Sequence, residues 1–184
     1  MRQILALLLS LCFLLASVPA PAETADGTPV RLDGFTLVPD AGTVYQVREK
    51  AENSVYITVY PYAGSGDLST NFNFVWAGGP FDITVDIQRA ALEDYRQDLT
   101  TTLQEMGYAV DTVQTGEPFE TVLAGAACCA FDTELAVTSG TVSGTVHMRQ
   151  FSVGPAGWVA ALSASDPAAL DSLAAAADSM LIWD

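Results

Sequence analysis

The side chains able to do chemistry are few, and their spacing narrows what they can do. Beyond residue 22 the chain holds two cysteines, Cys128 and Cys129, which are adjacent. Neighbours along a strand point to opposite faces, whereas a disulfide wants Cβ atoms about 3.8 Å apart. Two readings stand. They are small buried hydrophobes, in keeping with the burial of free Cys, or a redox-responsive pair, because an exported thiol meets oxidant. Strand alternation puts Cys129 with Phe131 and Leu135, and Cys128 with Asp132 and Glu134. Cys128 is therefore expected to be the more accessible, with its thiol pKa raised by those carboxylates.

His147 is the single histidine. It falls mid-strand on a polar face between Thr145 and Arg149. A Ser/His/Asp device would have to use it, yet no Gly-x-Ser-x-Gly elbow frames a serine, and Gly64-Ser65-Gly66 reads as a loop. The sequence contains neither His-Glu-x-x-His nor a Gly-rich phosphate loop ending in Gly-Lys-Ser/Thr. Asp94 and Asp98 lie one helical turn apart, where like charges face solvent, and no calcium-loop pattern accompanies them. Carboxylate pairs of the glycosidase kind arise by chance among 22 acids. No catalytic, cofactor-binding or metal-ligating residue is assigned. A non-enzyme is the expectation, and a hydrolase without a recognisable motif is the remotest alternative.

Aromatic side chains offer a different chemistry. Tyr56, Tyr60 and Tyr62 share one face of a strand-like run, and Phe72, Phe74 and Trp76 share one face of the next. Lined up on neighbouring strands, these rings could stack on a carbohydrate or other small ligand. Covered by a helix, they would be core.

The elements that must position these groups alternate between short strands and two helices. Period-two runs predict strands at 35–38, 44–48, 54–62, 71–76, 109–114, 128–135, 141–151 and 157–163. Gly64-Ser65-Gly66, Gly78-Gly79-Pro80, Ser139-Gly140 and Gly154-Pro155-Ala156-Gly157 mark turns. Ile87, Ala91, Tyr95, Leu99, Leu103 and Met106 predict one apolar stripe on a helix over 86–106, ended by Gly107. Asp166-Pro167 reads as the N-cap and first residue of a closing helix, buried through Leu170, Leu173, Ala177 and Leu181. The fold class is α+β, an antiparallel sheet with two main helices packed on it.

Charge and the chain's start bound its setting. The net charge is −15, with 22 acids against 7 basic residues. A nucleic-acid footprint needs clustered Lys and Arg, so that partner class is excluded. Half the residues are hydrophobic, which argues against disorder. Arg2 precedes an apolar run over 4–18, Pro19 follows, and Ala20 and Ala22 supply small side chains at −3 and −1 of a signal-peptidase site. Cleavage after Ala22 is expected, with Glu23 first in the mature protein. The run is shorter than the about 20 residues of a membrane span, and Cys12 lacks the setting of a lipid-modified cysteine. The expected organisation is a signal peptide at 1–22, a polar lead-in at 23–32 and one domain at 33–184. The protein is expected to be exported, to the exterior or the cell envelope (the periplasm, where an outer membrane exists).

The order of elements, with Phe35-Thr36-Leu37-Val38-Pro39, Asn71-Phe72-Asn73-Phe74-Val75, and Gly125 before the 128–132 strand, resembles the PsbP-like family. That family holds the extrinsic photosystem protein PsbP and exported bacterial relatives, including DcrB-like proteins. The resemblance implies an α/β/α sandwich, no cofactor and a mostly non-catalytic, accessory role. The histidine metal site of PsbP does not carry over, since His147 stands alone. Two functions remain in view: an accessory module binding an unknown protein partner, and a carbohydrate- or small-ligand-binding module using the aromatic face.

Overall fold

A computed structural model describes residues 23–32, 34–50, 54–61 and 70–183. The leader with its cleavage position at Ala22 lies outside these residues, as do Tyr62 and the Gly64-Ser65-Gly66 loop. In chain order the elements are β1 (Glu23–Thr24), β2 (Val30–Leu32), β3 (Phe35–Leu37), β4 (Val44–Lys50), β5 (Ser54–Tyr60) and β6 (Asn71–Trp76). Next come α1 (Val85–Glu105), β7 (Ala109–Thr115), β8 (Phe119–Leu123), β9 (Ala126–Ser139) and β10 (Val142–Val153). The chain closes with β11 (Trp158–Ala164), α2 (Ala169–Met180) and β12 (Leu181–Trp183).

The main sheet is antiparallel in the order β1-β4-β5-β6-β11-β10-β9-β7. β8 pairs with β9 below β7, so the two strands share successive stretches of one β9 edge. A smaller sheet, β12-β3-β2, packs with α2. Strand alternation splits the core in two. Phe72, Phe74, Ala130, Phe151 and Leu162 meet α2 and the small sheet, whereas Phe131, Leu135 and Met148 meet α1. The result is the expected α+β arrangement, with a helix on each face of an antiparallel sheet.

α1 begins where Thr84 Oγ1 accepts the Ile87 N–H at 3.2 Å and ends at Gly107, whose φ is 89°. Its buried residues are Gln88, Leu92, Tyr95, Leu99 and Leu103. Ile87, expected in the stripe, is 49% exposed. The reason is geometric: four-residue spacing drifts about 40° per step around a 3.6-residue helix. A stripe through Leu99 and Leu103 has therefore rotated off Ile87, and Gln88 takes that place.

At the second helix the Asp166 carboxylate accepts the Ala168 N–H at 2.9 Å, and its carbonyl accepts the Ala169 N–H at 3.0 Å. Asp-Pro thus forms a turn before the helix, which starts later than expected. Met180 completes the buried stripe, and Leu181 opens β12 instead of extending α2. The expected polar lead-in at 23–32 contains β1 and β2, held by pairing to β4 and β3. β8 and β12 are likewise elements that the sequence patterns did not mark.

Candidate functional site

The aromatic residues do not form one row. Cross-strand register sets Tyr56 opposite Val75, Thr58 opposite Asn73, Ile57 opposite Phe74 and Val59 opposite Phe72. Tyr60 therefore belongs to the side carrying Asn73 and Val75, away from the phenylalanines. Phe72 and Phe74 are 0% exposed, with ring centroids 5.4 Å apart, and Phe35 lies 5.5 Å from Phe74. Trp76 packs partly buried against the same core. Ligand stacking across all these rings is thus corrected to core packing for the phenylalanines, because hydrophobic burial chose the register.

Cys128 and Cys129 are free thiols and both are buried, at 6% and 4% exposure. Cys128 packs into the larger core beside Ala130. Burial pushes its thiol up to about 12, with smaller contributions from Cys129 and Asp178. The expected difference in accessibility is small, 6% against 4%, and burial, not the carboxylates of its face, is the main cause of the raised Cys128 pKa. Asp132 shares its face but lies further along the strand, where it is engaged by Arg149. Cys129 faces the other side, and burial followed by Glu120 raises its pKa.

The polar face near His147 is organised by Arg149 and its carboxylates. His147 Nδ1 lies 3.7 Å from Glu134. Arg149 donates to Asp132 through Nε at 2.7 Å and Nη2 at 3.1 Å, and to Asp171 on α2 at 2.7 Å. Its guanidinium carbon stands 6.0 Å from the Phe119 ring centroid. These contacts tie α2 to the sheet. Asp94 and Asp98 point to solvent from α1, and no metal-holding cluster occurs among the described residues.

On the α1 side, polar side chains form a buried band. Thr58 Oγ1 donates to Asn73 Oδ1 at 2.7 Å, and Asn73 Nδ2 donates to Asn71 Oδ1 at 2.9 Å. Gln88 Nε2 donates to Ser152 Oγ at 3.3 Å, and Gln150 Nε2 donates to the Tyr95 hydroxyl. Burial pushes the Tyr95 phenol up to about 12.

One concave surface adjoins the sheet edge. A groove of about 610 Å³ is lined by Phe81, Ile83 and Pro155 on one side and by Val122, Ala127 and Cys129 beneath β8 and β9, with Asp82 and Glu120 adding carboxylates. Its wall is seated by glycines. The Phe81 N–H donates to the Gly154 carbonyl at 2.9 Å, and a Cβ on Gly154 would collide with the Phe81 carbonyl. A Cβ on Gly157, at φ 73°, would fall 2.6 Å from the Gly79 carbonyl carbon. The 78–83 segment can lie this close only over bare backbone.

β8 itself is joined to β9 by Ala124-Gly125, both in the left-handed region (φ 50° and 81°). That is the backbone of a two-residue hairpin turn. The hairpin end is pinned by Asp178, whose carboxylate accepts the Ala124 N–H at 2.5 Å, and by Trp183 Nε1, which donates to the Leu123 carbonyl at 2.8 Å. Phe119 is 38% exposed and Val122 56%, and Ile182 on nearby β12 is also 56% exposed. Among the described residues β8 pairs only with β9, so exposed Val122 stands beside an unpaired strand edge.

No family model matches the chain, and no curated protein matches it. Among solved structures the chain is similar to the solution structure of cyanobacterial PsbP (CyanoP) from Synechocystis sp. PCC 6803. The identity is 12%, the TM-score 0.47, and the similarity covers 92% of this chain and 99% of that one. Among the described residues no helix is long and apolar enough to cross a membrane.

Proposed function

We propose that this chain is an exported, non-catalytic accessory module that binds another protein of the cell envelope or exterior. The observation carrying this reading is exposed Val122 on the β8 edge at the groove that Phe81, Ile83 and Pro155 also line. Apolar side chains grouped beside a groove mark contact surfaces, whereas scattered ones need no explanation. The leader over 1–22, with its small-residue end at Ala22, supports export. The ion-pair cluster around Arg149 is engaged within the fold, which supports a structural role for the polar residues nearest His147.

A photo-crosslinking residue placed at Val122 in the full chain, expressed in its own host, tests the reading. Capture of a discrete protein at Val122, and not at exposed Thr101 on α1, is the expected result. Equal capture at both positions, or none at either, overturns it.

A further inference from the structure

We propose that the outer edge of β8 accepts an extended segment of another protein as an added strand, one that carries a Lys or Arg and an apolar residue two positions apart on one face. This rests on the protein-binding reading above and names the partner's chemistry. Within the described residues β8 pairs with β9 alone. The two-residue turn closes on Leu123 and Ala126, so alternation directs the backbone of Phe119, Thr121 and Leu123 toward β9. The N–H and C=O groups of Glu120 and Val122 then point outward, and both residues are exposed.

Edges that must not pair are usually blunted by Lys, Pro or bulges. β8 has none of these within Phe119–Leu123, and the chain's single Lys is Lys50. Strand addition draws affinity from such unpaired groups and specificity from pockets for alternate side chains. The groove below Val122 supplies the apolar pocket, through Phe81, Ile83 and Pro155.

Charge selects the occupant. Glu120 and Asp82 line the groove, and the chain carries a net charge of −15. Glu117, just upstream, already holds Arg89 at 3.0 Å. A second copy would bring the same acids against one another, so the fitting segment is basic. Lys or Arg facing Glu120, with an apolar residue two positions along on the same face beside Val122, satisfies both features.

The test uses the mature protein with a short Thr-rich peptide carrying Lys and Val two positions apart (Thr-Lys-Thr-Val-Thr), and the same peptide with Glu in place of Lys, which is expected not to bind. The Lys peptide is expected to bind saturably and to slow amide exchange at Glu120 and Val122. Val122→Pro removes one outward N–H at an edge position where Pro is tolerated, and Glu120→Lys reverses the selecting charge. Each is expected to weaken binding about tenfold or more, close to 1.4 kcal/mol, with an unchanged melting temperature. Binding that neither variant weakens, exchange unchanged at Glu120 and Val122, or Val122-dependent dimerisation without peptide binding would overturn the proposal. If Glu120→Lys leaves capture by the crosslinking residue at Val122 intact, the protein-binding reading survives and the assignment of a basic segment to the β8 edge fails.

Discussion

Cys128 and Tyr95 are both held neutral by burial, and this has a measurable consequence. Their pKa values rise from 9.0 and 10.0 in the unfolded chain to about 12 in the fold. A raised pKa contributes stability that is fully present below the unfolded value and is lost as pH rises through the folded one. The melting temperature should therefore hold steady up to about pH 9 and fall progressively toward pH 12. Cys128→Ala should make that fall shallower, leaving Cys129 and, from about 10, Tyr95 to act; a pH profile unchanged by the substitution would refute the assignment. At pH 8 a thiol reagent should modify Cys128 and Cys129 slowly in the native protein and fast after denaturation, because burial keeps the reactive thiolate scarce at both. The sequence placed these residues on opposite faces correctly, but it assigned accessibility from neighbouring charges. What decides it is which face α2 covers, and no local pattern carries that information.

At the scale of elements, the clearest signals were those that repeat. Val55-Tyr56-Ile57-Thr58-Val59 and Asn71 to Trp76 announced strands through alternation, and Leu99 and Leu103 announced the buried side of α1. Leu99 is 0% exposed, so Leu99→Ala should cost about 2–5 kcal/mol, read by denaturant unfolding; a loss under 1 kcal/mol would mean that the helix seat collapses freely. Three-residue β2 and β12 were silent because so few residues give no period, and their pairing with β3 comes from distant chain. β8 was silent for a related reason: Phe119-Glu120-Thr121-Val122-Leu123 alternates weakly, its apolar residues being divided between core and edge. The groove was hidden too, since its wall depends on Gly154 and Gly157 as contact points. Gly154→Ala should push the Phe81 carbonyl away, cost about 1–3 kcal/mol and weaken peptide binding at β8 along with stability. α1 also ends badly for an acidic helix, with Glu105 in its last turn and no basic residue there. Carboxylates at that end oppose the helix dipole, so Glu105→Lys should stabilise the protein by about 0.5 kcal/mol.

For the whole molecule the governing quantity is charge. Seven basic residues face 22 acids, and several of the basic side chains are already committed. Arg89 holds Asp86 and Glu117, Arg96 holds Glu93, and Arg149 holds Asp132 and Asp171. The acids left over, including Asp94, Asp98 and Glu105 along α1, repel one another across an exposed surface. Such self-repulsion destabilises the compact state, and it is screened over about 10 Å at 0.1 M salt. Added sodium chloride should therefore raise the melting temperature between low and moderate ionic strength, the reverse of a fold held mainly by surface ion pairs. The three arginine clusters oppose this trend, but exposed pairs are worth only about 0–1 kcal/mol each, so repulsion among the excess acids should prevail. The same field should keep the protein off phosphatidylserine vesicles and duplex DNA, both of which need basic patches for counterion release. Co-sedimentation with either that weakens steeply with salt would show a hidden basic face. A melting temperature that falls on adding salt would show instead that the Arg149 and Arg89 clusters outweigh the net charge.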